Sequence, residues 1–184
     1  MAYDVGAHGL AQRYFTQALY LTRATGDRSL GAYILSRMSR QATYLGYAKD
    51  AVNLGSTGRE EAVSHATPAA MALFWSVEAR GHGLLGDSQA CTAALTQAER
   101  YLNSVTMGNE PTWSSFFDEA QLCDEFAHCF SDLQKPRETI HFAQRSLQLR
   151  TSSYVRSKAF CHTVLATAYL QMGEVEEACN VAER

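Results

Sequence analysis

The chain has 184 residues, 46% apolar and 19% charged, enough for one ordinary domain or one short repeat array with a real core. Its 16 basic and 19 acidic side chains leave a formal charge of −3, which argues against a surface that grips a phosphate backbone, since that needs a concentrated basic face. No apolar run approaches the ~18 residues of a membrane span, and the opening MAYDVGAHGL has neither the basic nor the apolar stretch of a secretory signal.

In chain order, the residues predict helices throughout. The first, over 8–24, carries the stripe Leu10, Tyr14, Ala18, Leu21. Two more follow over 29–45 and 48–62, divided at Leu45-Gly46. Thr67-Pro68 reads as an N-cap with proline at the first helical position, opening a helix over 68–85. Gly86 closes that helix and Asp87 opens the next, 88–103, where Leu95, Ala98 and Leu102 keep the helical period. Ser104 to Thr112, rich in Gly, Asn and Pro, is the longest connection and the expected mobile loop. Beyond it, helices are predicted over 113–132, 136–149, 154–172 and 175–184. Gly46, Gly86 and Gly173 each fall where a helix must stop in a positive-φ residue. No alternating β pattern with hairpin turns is visible.

The helices form a repeat. A Leu/Met-Gly-like turn is followed about five residues later by a small side chain, at Ala11, Ala51, Cys91, Thr139 and Ala178. These anchors lie 40, 40, 48 and 39 residues apart, a period near forty with one insertion, which the 104–112 connection supplies. Two antiparallel helices cross closely only where side chains are small, so each anchor needs a small partner in the preceding helix. Twelve residues earlier stand Ser39, Ala79, Ala127 and Ala166, all small. The first pair is cut, with only Met1 to Val5 left of its first helix, and the last helix runs to Arg184. A solenoid ordinarily ends in polar capping repeats, so a fragment of a longer protein is expected. The five cysteines (Cys91, Cys123, Cys129, Cys161, Cys179) are scattered and odd in number, with no C-x-x-C pair, as in a reduced cytoplasmic protein with buried thiols.

These segments, LATAYLQMGEVEEA (Leu165 to Ala178) above all, resemble the tetratricopeptide repeat. Ala166 and Ala178 match its small positions, Tyr169 an aromatic one, Gly173 its turn, and Trp75 its early tryptophan in the third pair. Gly55 and Gly58 depart from it, replacing larger residues in the second pair, as does the period. The resemblance implies an all-α fold: a right-handed superhelix of antiparallel helix pairs, an α-solenoid, as a single domain over 1–184 of about five pairs, the first and last incomplete. The run from Ala2 to Val52 is similar to the repeat region of actinobacterial regulators with an Xre-type helix-turn-helix at the N-terminus. That likeness implies the ligand- or protein-binding and dimerisation half of a transcription factor, a homodimer meeting DNA only through a head absent from this chain. A peptide-binding adaptor unrelated to transcription is the alternative.

In such arrays the first helices line the concave face. Carried over from the family, the groove positions here are Tyr33, Ser36, Arg40 and Thr43, then Leu73, Ser76, Arg80 and Gly83, then Gln121, Asp124, His128 and Ser131, then Phe160, Thr163, Thr167 and Leu170. Guanidinium forks at Arg40 and Arg80 suit a carboxylate or phosphate. Two readings stand: a polar groove that takes a peptide or the acidic end of a small ligand, or arginines that pair with neighbouring acids in a solvated groove. No catalytic chemistry is expected. Glu125-x-x-His128 is half of a di-iron pattern without its complement. Cys161 and His162 are neighbours on one helix and diverge by about 100°. The familiar phosphate-loop, dinucleotide, metalloprotease and nucleophile-elbow motifs are absent, and no cofactor or metal is expected. Trp75 reads as core, while Trp113, Phe116 and Phe117 suit either a pair interface or a dimer patch.

Overall fold

The computed structural model describes residues 5–106, 110–151 and 154–183. Among them the secondary structure is helical: α1 (His8–Thr25), α2 (Arg28–Tyr44), α3 (Ala48–Ala62), α4 (Pro68–Leu85), α5 (Ser88–Asn103), α6 (Glu119–Asp132), α7 (Pro136–Leu149), α8 (Val155–Gln171) and α9 (Val175–Ala182). No helix of the described residues is long and apolar enough to cross a membrane. Met1–Asp4, Met107–Asn109, Ser152–Ser153 and Arg184 lie outside the described residues. So do most of the expected remnant of a first helix, the middle of the 104–112 connection and the predicted end of the last helix.

Local chemistry sets the boundaries. Asp27, Asp87 and Asp118 accept hydrogen bonds from the backbone N–H groups of Leu30, Ala90 and Gln121, capping α2, α5 and α6. Pro68 and Pro136 occupy first turns, where no N–H is missed. Gly86 ends α4 at φ +77, in the left-handed region that a Cβ disfavours. In the α6–α7 turn Gln134 takes φ 57 in its place.

One element starts later than its sequence suggests. A helix over 113–132 is predicted, yet α6 begins at Glu119. Asp118 is extended (φ −119, ψ −176) and caps Gln121, which ends any helix arriving from the N-terminal side. Before it, Ser114 and Phe117 donate backbone bonds to Pro111 and Ser114, making tight turns. The side chains explain the difference. Trp113 packs on Tyr33 of α2 and Phe74 of α4, with ring centroids 4.9 and 6.2 Å away, and Phe117 is buried in the central core. Tertiary burial overrides the local helical preference. Glu110 secures the segment's start, accepting from the Thr67 hydroxyl and, at 3.3 Å, from the Ala69 backbone at the head of α4.

Successive helices pack as antiparallel neighbours, and α2, α4, α6 and α8 also meet one another in turn along one face. The small-residue contacts hold the pairs. The Ser39 hydroxyl donates to the Ala51 carbonyl at 2.7 Å, joining an expected partner position to its anchor. Ala51, Ala79, Cys91, Ala127 and Thr139 have no exposed surface. Ala166 is only partly buried: α8 turns Cys161, Leu165 and Ala168 inward instead. Gly55 and Gly58 have a steric cause: a Cβ would stand 3.1 Å from Glu78 Cα at the first and 3.1 Å from the Ala32 carbonyl at the second. The α3 backbone is thus wedged between α2 and α4. The core is richest around α4, whose Met71, Leu73, Phe74 and Val77 are buried on several sides. Trp75 packs against two clusters of this core, with the Arg59 guanidinium 4.1 Å above its ring.

Candidate functional site

The inner face carries a cavity of about 370 Å³ between α2, α4, α6 and α8. Helical spacing explains who reaches it. Arg37, Arg40 and Thr43 are one turn apart on α2, with Tyr44 next to Thr43, Gln121, Asp124 and His128 follow the same interval on α6, and Arg80 enters from α4. Arg156, Ser157 and Phe160 close it from α8, and Phe116 from the segment before α6.

Seven of the sixteen expected groove positions therefore meet at one place: Arg40, Thr43, Arg80, Gln121, Asp124, His128 and Phe160. Tyr33, Ser36, Ser76 and Thr163 are among those that do not line it. Tyr33 is covered by the Trp113 ring. Ser36 and Ser76 are buried and donate to the carbonyls of Tyr33 and Leu73 on their own helices. Thr163 is exposed on α8 and donates to the Ala159 carbonyl.

Beneath the cavity lies the residue that sequence reasoning set aside. Glu125, read above as half of a chance metal pattern, is fully buried and accepts from Arg40 Nη2 at 2.5 Å and from Gln121 Nε2 at 3.0 Å. Arg80 Nη1 stands 3.6 Å from its other oxygen. Burial alone would raise its pKa, but Arg40 and Arg80 outweigh burial and hold it at about 2. Arg80 also faces Asp132 at 3.9 Å. One available signal was the pair of arginines at equal register on adjacent first helices, which require a counter-ion. Glu125 lies one turn before His128, the residue at their register on the next first helix.

Asp124 behaves oppositely. It is buried beside Glu125, and burial with that neighbouring charge lifts its carboxyl to about 6, although Arg150, with Nη2 at 3.8 Å, opposes the rise. Burial, then the Arg80 charge, press His128 well below the ordinary histidine value, so its ring is neutral. The wall therefore carries permanent positive charge, one pinned carboxylate and one carboxyl that titrates near neutrality.

No protein-family model matches the chain, and no curated protein matches it. Among solved structures it is similar to a kinesin light chain candidate of Podosopora anserina, built of nearly identical TPR-like repeats. The likeness covers 99% of this chain and 92% of that one, with 16% identity and a TM-score of 0.55. The shared property is the fold: a tetratricopeptide-like α-solenoid.

Proposed function

We propose that this chain is a cytoplasmic binding module, the ligand- or protein-binding and dimerisation half of a bacterial transcriptional regulator, whose DNA-reading helix-turn-helix lies outside these 184 residues. The observation that carries the binding role is the inner-face cavity, where side chains from four first helices converge on one charged wall. Because its wall is shared by α2, α4, α6 and α8, an occupant would bias how these helices stack. Curvature change is a means of altering the spacing of two paired DNA-reading heads, and half-site spacing is a geometric requirement of such dimers.

The module binds without catalysing. Burial pushes the Cys161 thiol to about 12, with Asp124 adding to the rise, and the Cys123 thiol to about 11, so neither supplies a thiolate near neutral pH. His128 is neutral, but its neighbours are arginines and a carboxylate engaged with them, not a nucleophile.

The regulator assignment is supported by the resemblance of Ala2–Val52 and is tested on the complete reading frame. A helix-turn-helix upstream of Met1, a dimer by light scattering and sequence-selective DNA binding by the intact protein are the expected results. A different upstream domain, or an intact protein that binds no DNA, would overturn this assignment in favour of an adaptor.

A further inference from the structure

The outermost helices of the stack repeat, uncovered, the joints that its interior fills. In the interior, α4 packs on both helices of the preceding pair, α2 and α3. Gly81 and Glu78 of α4 lie against Val52 and Gly55 of α3. Counted from the anchors Ala51 and Ala178, the same positions on α9 are Cys179 and Ala182, and both are exposed. On α2, Ala32, Ser36 and Thr43 are buried. Counted from Ser39 and Ala166, their counterparts on α8 are Ala159, Thr163 and Leu170, all exposed. Thus α8 and α9 offer a place for one more helix, and among the described residues no helix takes it.

At the opposite end, α1 has a spare side. Among the described helices it packs on α2 alone. Leu10, Tyr14 and Leu21 share one side of it at helical spacing, exposed by 45%, 57% and 62%. Counted from Ala11 and Cys91, Tyr14 and Leu21 stand where α5 has Ala94 and Tyr101, which pack inward.

The charges of the two ends are opposite. Between its first and last residues α1 carries Arg13 and Arg23 and no acid. Glu174, Glu176 and Glu177 open α9 with no base among them, and the bases of α8, Arg156 and Lys158, sit in its first turn, far from Leu170. Neither α1 arginine and none of these three glutamates forms an ion pair among the described residues.

We propose that the exposed side of α1 docks between α8 and α9 of a second copy of this chain, head to tail, as the next helix of the array. This goes beyond the reading of the chain as a binding module and does not rest on it. A contact between two different faces leaves one of each unused, so further copies add on. The 18 residues of α1 span about 27 Å. A strip that long and ~10 Å wide is on the order of 300 Å² per partner, well below the roughly 800 Å² of a standard interface. The association is therefore weak and follows concentration.

Sedimentation velocity of the full chain over roughly 10–500 µM tests it. The weight-average mass is expected to rise above that of one chain and to pass that of two. Raising salt from about 0.05 to about 0.5 M should lower it, because attraction between exposed charges is screened. Leu21→Glu spoils the docking side of α1 and Leu170→Glu its receiving groove. Both positions are exposed, and a circular-dichroism melt checks that each variant folds. Each alone should stay monomeric. Mixed, they should form a complex of one each and nothing larger, since the second supplies an intact α1 and the first an intact groove. Tyr14→Glu and Val175→Glu repeat the test at separate exposed positions. A parent chain that stays monomeric throughout overturns the proposal, as does a mixture that stays monomeric. Association kept by Leu170→Glu but lost in Leu21→Glu overturns it in favour of a contact between two α1 helices.

Discussion

Replacing Glu125 by glutamine preserves its shape and removes its charge, which makes the buried cluster measurable. In the folded chain the carboxyl sits at about 2 against an ordinary 4.5, because Arg40 and Arg80 overcome its burial. That gap corresponds to on the order of 3 kcal/mol in favour of the ionised form. Breaking one side of a buried ion pair costs about 3–5 kcal/mol in other proteins, which points to the same scale. The folded value lies below the unfolded one, so the contribution is complete above 4.5 and is lost as pH falls toward 2. Glu125→Gln is therefore expected to lose about 3 kcal/mol at neutral pH, and by about pH 3 its deficit against the parent should have fallen by more than half. Urea unfolding, followed by both circular dichroism and tryptophan fluorescence across that range, reads the difference and checks that unfolding is cooperative. A loss below about 1 kcal/mol at neutral pH, or one indifferent to pH, would refute the claim that two guanidiniums hold a buried carboxylate here.

Gly81→Ala gains about 1 kcal/mol of helix propensity, but its Cβ would lie 2.8 Å from the Val52 backbone nitrogen and 3.2 Å from the Ala51 carbonyl carbon. Overpacking of about 1–3 kcal/mol should prevail and lower the urea midpoint, whereas Gly9→Ala, with no atom within 4 Å of its Cβ, should leave it unchanged or raise it. Asp124 has a folded value of about 6 against 3.8, so its contribution to stability is present below 3.8 and lost as pH rises through 6. From neutral pH to about pH 4, the stability difference between the parent and Asp124→Asn should move toward the parent by up to about 3 kcal/mol; no movement would contradict the raised value. A thiol reagent applied to the native protein should label the exposed Cys179 first and the four buried cysteines only on unfolding, as mass spectrometry of the labelled peptides would show.

The helices were legible because their signals are local. Asp before a helix and a positive-φ residue after it depend on a handful of neighbouring atoms, and the small anchors repeat at a spacing that only paired helices need. The segment 113–118 was misread because its outcome depends on distant partners: Trp113 answers to Tyr33 and Phe74, 80 and 39 residues earlier. The same segment explains the missed part of the site. Tyr33 holds a groove position by register, but register alone does not tell that Trp113 lies across it, and Ser36 and Ser76 turn their hydroxyls to carbonyls of their own helices. Arg37 sits one turn from Arg40 and could have been found by helical spacing. Arg156 and Phe116 reach the cavity only through the packing of α8 and of the insertion. Glu125 carried a signal in the arginines that need it, overlooked in favour of its spacing from His128.

A stack of look-alike hairpins faces an ambiguity that a globular fold does not: any hairpin could dock one position out of place and still bury alanine against alanine. The clamp from Glu110 to the head of α4, with Trp113 lodged between Tyr33 and Phe74, exists at one joint only among the described residues. A slipped array would forfeit that clamp and leave two aromatic residues without a seat. The irregular stretch thus acts as an indexing key, giving the chain one correct alignment among several near-equivalent ones.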